Sequence, residues 1–179
     1  MGKAGFDKIV VVDLETTCWE KRERDQIMEV IEVGVCLLDI GSGKITDRQS
    51  ILVKPVYSVV SEFCTKLTTL TEELVETGIR FREACLKLED EYQSKMRVWA
   101  SYGDFDRRQF ERECRLKNVP YPFGSRHINI KTLFAIKHRL AEEAEIDKAL
   151  ALLGLELIGT HHRGVDDAYN VARILNTLI

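Results

Sequence analysis

Four consecutive β-branched apolar residues, Ile9-Val10-Val11-Val12, stand near the start of the chain. Such a run predicts a strand covered on both faces, hence a central position in a sheet. Asp13-Leu14-Glu15-Thr16-Thr17 follows directly. If the strand continues, alternation places Asp13 and Glu15 on one face. If it stops at Val12, both acids belong to a solvated loop. A polar connection over 20–26 leads to a second apolar run at 27–38, and Asp39-Ile40-Gly41-Ser42-Gly43 signals a turn. Residues 45–53 read as a third strand, closed off by Pro55. Short links make these three most simply an antiparallel meander.

The remaining chain changes period. Thr71-Glu72-Glu73-Leu74 opens a short helix that Gly78 ends, and a longer helix over 81–93 carries Cys85, Leu88 and Tyr92 on one side. A strand is expected at 98–102, a helix at 105–117 and a weak strand at 127–130. Helices follow at 131–142 and 146–153, the second stopped by Gly154, and the last helix runs from Val165 to the end. Three leading strands followed by alternating helices and strands predict an α/β fold. The expectation is one domain over residues 1–179, with a mixed central sheet of about five strands flanked by helices and the first seven residues flexible.

Composition narrows the function classes. Apolar residues make up 45% and charged residues 31% of the 179, which describes a globular protein with room for a core. No apolar run reaches the ~18 residues of a membrane span. The first residues carry neither a signal-peptide core nor a myristoylation pattern, since position 6 is Phe. Five scattered cysteines without a C-x-x-C read as reduced thiols, which fits a cytoplasmic setting. A net charge of −3 argues against a broad basic nucleic-acid surface, although not against a grip on a few nucleotides through bound cations.

Helical phase then selects further acids. In Gly103-Asp104-Phe105-Asp106, Asp104 suits an N-cap and shares its face with Arg108, Glu111 and Arg112, a solvated set. Asp106 aligns with Phe110 and Cys114 and points inward, toward either a helix dipole or a metal. In Val165-Asp166-Asp167-Ala168, Asp166 aligns with Asn170, Arg173 and Thr177, an exposed polar stripe. Asp167 aligns with Val171, Ile174 and Leu178, an apolar one. Inward acids from three separated segments, Asp13, Glu15, Asp106 and Asp167, suggest a cluster that binds a hard divalent cation, Mg²⁺ or Mn²⁺. His161 and His162 lie just before the last helix, and loop residues have no period that would choose between them.

Taken in order, these segments resemble the DEDDh 3′–5′ exonucleases, a DnaQ-like family with a ribonuclease H-like fold. The match is carried by Asp13-Leu14-Glu15-Thr16-Thr17, by Phe105-Asp106, and by a histidine five residues before an aspartate. His162 with Asp167 and His161 with Asp166 both meet that spacing, and phase favours the first pair. Phe63-Cys64-Thr65-Lys66-Leu67-Thr68, Tyr121-Pro122-Phe123 and the stretch from Gly159 to Ala168 look like the branch of histone-mRNA and small-RNA trimming enzymes. The resemblance implies two Mg²⁺ or Mn²⁺ ions held by Asp13, Glu15, Asp106 and Asp167, with His162 as the general base. Its implied reaction releases nucleoside 5′-monophosphates from single-stranded 3′ ends, RNA more than DNA. Backbone groups around Leu14, Glu15 and Thr17 are expected at the terminal nucleotide. Trp19 and Phe105 are candidate stacking surfaces, with core packing the preferred role for Phe105. The alternatives are a DNA exonuclease of the proofreading or repair type, a non-catalytic nucleic-acid binder, and an acidic protein-interaction module.

Overall fold

A computed structural model describes residues 5–21 and 23–179. The elements in chain order are β1 (Lys8–Thr16), β2 (Val30–Asp39), β3 (Ile45–Leu52), α1 (Glu62–Thr68), α2 (Glu72–Glu76), α3 (Phe81–Tyr92), β4 (Val98–Ser101), α4 (Phe105–Lys117), β5 (His127–Asn129), α5 (Ile130–Lys137), α6 (Ile146–Leu152) and α7 (Gly164–Asn176). The sheet order is β3-β2-β1-β4-β5. β1 and β2 pair antiparallel, as do β2 and β3, so the predicted meander forms. β4 and β5 add in parallel. β1 therefore lies mid-sheet, and its apolar run serves both faces. Val10 and Val12 pack with Phe81, Leu88 and Phe110 on one side. Ile9 and Val11 pack with Phe134, Leu150 and Ile174 on the other. Helices thus cover a mixed sheet on both faces, the expected α/β architecture.

Several boundaries differ from the sequence reading. α1 was not expected. It starts at Ser61, whose Oγ accepts the Cys64 N–H at 3.0 Å, and it is too short for its period to show. α5 stops at Lys137 rather than 142 because Arg139 turns left-handed (φ 53°), with the Leu140 N–H closing onto the Ala135 carbonyl at 2.9 Å. Asp104 occupies the N-cap position of α4 but makes no capping bond; its carboxylate pairs with Arg107 at 3.2 Å. The flexibility expected of the first seven residues falls partly outside the described ones. Among those described, the Asp7 carbonyl accepts the Ile40 N–H at 2.9 Å and Phe6 lies under the Arg126 guanidinium. Among the described residues no helix is long and apolar enough to cross a membrane.

A buried polar knot, unforeseen from sequence, ties β2, α4 and the segment after β3 together. Glu29, fully buried, accepts the N–H groups of Val56, Tyr57 and Ser58 at 2.9, 2.7 and 2.7 Å. Lys117 Nζ reaches both Glu29 (2.8 Å) and Glu113 (2.7 Å), and Glu113 also accepts the Val30 N–H at 2.8 Å. Each charge there meets donors or an opposite charge, the condition under which burying it is tolerable.

Candidate active site

The acids of the first motif lie within β1, not beyond it, so the solvated-loop alternative fails. Asp13 faces Gly34 and Glu15 faces Glu32 across the antiparallel β1–β2 pair. α7 is seated by a backbone contact. A Cβ on Gly34 would lie 1.9 Å from the Gly164 carbonyl, so only glycine lets the first turn of α7 rest on β2. That docking aims Asp167, 2% exposed, at the end of β1. Asp13, Glu15 and Asp167 then offer carboxylate oxygens that all lie within 4.8 Å of one another. Asp106, from the first turn of α4, is buried and lines the same cleft, and its Oδ1 accepts the Leu14 N–H at 3.0 Å. Asp106 thus points inward with its helical neighbours Phe110 and Cys114, which are also buried. The cleft, about 460 Å³, is lined by Asp13, Leu14, Glu15, Phe105, Asp106, His161, His162 and Asp167 among others.

Electrostatics set this group apart. Burial, and then the charges of Asp106, Glu15 and Asp167, push Asp13 well above the usual carboxylate range. Burial and the Asp167 charge carry Glu15 up to about 9. Burial raises Asp106 to about 7 despite the Leu14 N–H, and it raises Asp167 despite the His161 hydrogen bond. Clustered acids that cannot all ionise are what a hard divalent cation relieves, and the donor set is all oxygen. The residues present therefore fit such an ion.

Both histidines border the cleft, but they meet Asp167 differently. His161 Nδ1 lies 3.1 Å from Asp167 Oδ1, whereas His162 donates its backbone N–H to Oδ2 at 2.7 Å. The two rings stack at 4.0 Å. His162 holds a left-handed φ of 62°. Its imidazole is held below its ordinary pKa by burial and by His161, which keeps it neutral near pH 7.

Asp166 is not the solvated residue that its stripe suggests. Its carboxylate pairs with Arg48 and accepts the Thr160 N–H at 2.7 Å. Asn170, on the same stripe, is fully buried and clamps Ile158 through its N–H (3.1 Å) and carbonyl (2.9 Å). The polar stripe of α7 is a seam that holds the 158–163 loop, where alternation of phase cannot distinguish solvent from a polar loop.

The expected nucleotide contacts divide. Thr17 is fully buried, its N–H given to the Glu29 carbonyl (2.8 Å) and its Oγ1 accepting the Glu29 N–H (2.9 Å), so its N–H and hydroxyl brace the chain. The Leu14 N–H is taken by Asp106, and the Leu14 side chain lines the cleft. Trp19 is half-buried and lies outside the cleft lining. Phe105 corrects the preferred reading: it is 49% exposed at the cleft instead of packed in the core. Tyr102, Glu145 and Asp147 also line the cleft and were missed. They come from a strand end and from the start of α6, where no period marks them.

The profile of the exonuclease family RNase_T matches residues 10–175. The 3'-5' exoribonuclease 1 of Rattus norvegicus is 31% identical over 180 residues, covering 94% of this chain and 52% of that protein. The chain spans about half the length of the curated relatives it matches. The crystallographic structure of the nuclease domain of 3'hExo, a DEDDh family member, bound to rAMP superposes with a TM-score of 0.88 at 27% identity, covering 96% of this chain and 91% of that one. A 3'-exonuclease recognising the histone mRNA stem-loop at its 3' end gives 0.88 at 26% identity, over 97% and 82%. Profile, fold and the placement of the acids agree, and the chain belongs to the RNase_T exonuclease family.

Proposed function

We propose that this chain is a metal-dependent 3′–5′ exonuclease that removes nucleoside 5′-monophosphates from single-stranded 3′ ends, RNA in preference to DNA. The observation that carries the reading is the set of buried and half-buried carboxylates that no lysine or arginine among the described residues pairs with, open to a cleft that ends at two histidines. Asp13, Glu15, Asp106 and Asp167 would hold two Mg²⁺ or Mn²⁺ ions, which supply Lewis-acid stabilisation of the phosphate and the departing 3′ oxygen. His162, kept neutral by its surroundings, takes the proton of the attacking water as the P–O3′ bond breaks and the leaving oxygen gains a proton from solvent. Phe105 offers a ring at the cleft for the terminal base. Preference for RNA is supported by the relatives called 3'-5' exoribonuclease 1 and by the rAMP-bound nuclease domain. Five free cysteines suit a reducing, cytoplasmic compartment.

The test is direct. With Mg²⁺ or Mn²⁺, 3′-labelled single-stranded RNA should release labelled mononucleotide first, 5′-labelled RNA should shorten stepwise, and EDTA should stop both. Faster shortening of DNA would replace the RNA assignment with a DNA exonuclease. Retarded but intact oligomers would leave only a binding protein.

A further inference from the structure

Glu32, fully buried on β2, is a carboxylate that the proposed chemistry does not use. Its oxygens are occupied: Ser50 Oγ at 2.5 Å, the Gly164 N–H at 2.9 Å, and Arg163 through Nε at 3.2 Å and Nη2 at 3.4 Å. It also lies outside the set of carboxylates whose oxygens converge. Meanwhile Arg163 at the N-cap of α7 makes no side-chain capping bond, and the Gly164 N–H has Glu32 as its acceptor. The first N–H groups of a helix need an acceptor, and its N-terminus favours a negative charge.

We propose that Glu32 is a positioning residue, capping α7 from across the sheet and thereby fixing His162 and Asp167 at the end of β1. Gly164 is the first residue of α7, Asp167 stands one turn further on, and His162 lies two residues before it. The same carboxylate holds the Arg163 guanidinium, so the two residues that follow His162, Arg163 and Gly164, are both tied to β2. The Gly34–Gly164 contact sets how close α7 comes, and Glu32 sets where along β2 it stops. The inference rests on the exonuclease reading for its kinetic consequence, while the cap itself is independent of it.

The experiment compares Glu32→Gln and Glu32→Met in the full chain, with kcat and KM on single-stranded RNA at saturating Mn²⁺, folded fraction by circular dichroism, and amide exchange of Gly164 by NMR. Partners that orient metal ligands are worth about 10–100-fold when removed. Glu32→Met should lower kcat about 100-fold with KM little changed, and Gly164 should lose its exchange protection. Glu32→Gln keeps an oxygen for the Gly164 N–H but not the charge facing Arg163, so it should lose about tenfold and keep the protection. A folded Glu32→Met with wild-type kcat overturns the proposal, as does a loss confined to KM or a Gly164 amide as protected as before. Should Glu32→Met not fold, Glu32→Gln decides: a tenfold lower kcat supports the role and an unchanged kcat refutes it. If the wild-type chain shortens no oligomer, the exonuclease reading fails, and Gly164 exchange still decides whether Glu32 is the cap.

Discussion

Two largely buried groups of acids in this fold behave in opposite ways. Around Lys117, Glu29 and Glu113 share one ammonium and four backbone N–H groups, so burial leaves little charge unanswered. At the end of β1, Asp13, Glu15, Asp106 and Asp167 mostly face one another, and the available donors are few. Burial is common to both and so marks neither as functional. The difference is the positive charge, which the first group has in Lys117 and which no lysine or arginine among the described residues supplies to the second by an ion pair. A carboxylate cluster that repels itself has a cost in stability, and such clusters concentrate at functional sites.

The contrast can be broken at its strongest point. Asp167→Ala should remove turnover by at least about a thousandfold, because a lost ligand forfeits several kcal/mol of transition-state stabilisation, while leaving the fold intact. Single-turnover assays beside circular dichroism check this. Lys117→Met should do the reverse, lowering unfolding free energy by about 3–5 kcal/mol by leaving Glu29 and Glu113 buried without a cation. Urea denaturation would show it, and residual activity should follow the folded fraction. An equal kinetic defect in folded Lys117→Met would erase the distinction between the groups.

Smaller effects sharpen it. Asp166→Ala should lower kcat on the order of tenfold, since Asp166 holds the Thr160 N–H and Arg48 rather than water. Glu15→Gln should make the metal-free protein more stable, by on the order of 1 kcal/mol, while destroying activity. pH dependence follows with a definite sign. Glu15 binds its proton in the folded state up to about 9, against an ordinary value of 4.5, so its favourable contribution is full below 4.5 and lost as pH rises through about 9. The melting temperature of chelator-treated protein should therefore fall between about pH 5 and 9, and Mn²⁺ should flatten the fall. A flat profile without metal would remove the repulsion on which the contrast depends.

How much of this could be read from the sequence depends on whether a residue sits in a periodic element. The β1 run, the inward phase of Asp106 and that of Asp167 were legible because their neighbours Phe110, Cys114, Val171 and Ile174 are apolar and buried. Asp166 and Asn170 were misread because a helix face packed on a polar loop looks the same as one facing water. Glu145 and Asp147 stand at the start of a short helix, with too few neighbours for phase to place them. Glu29 and Glu32 interrupt an apolar strand, and Gly34 sits in its middle. Within a run read only as apolar, neither irregularity had a partner in view, and joining them to Lys117, Arg163 and Gly164 required the tertiary fold.

The most direct measurement is calorimetric titration of Mn²⁺ into the metal-free chain at neutral pH, repeated on Asp167→Ala and Lys117→Met. Saturable binding is expected of the wild-type protein, little or none of Asp167→Ala, and wild-type binding of whatever fraction of Lys117→Met is folded. Absence of binding to the wild-type chain, or binding that Asp167→Ala leaves unchanged, would contradict this expectation.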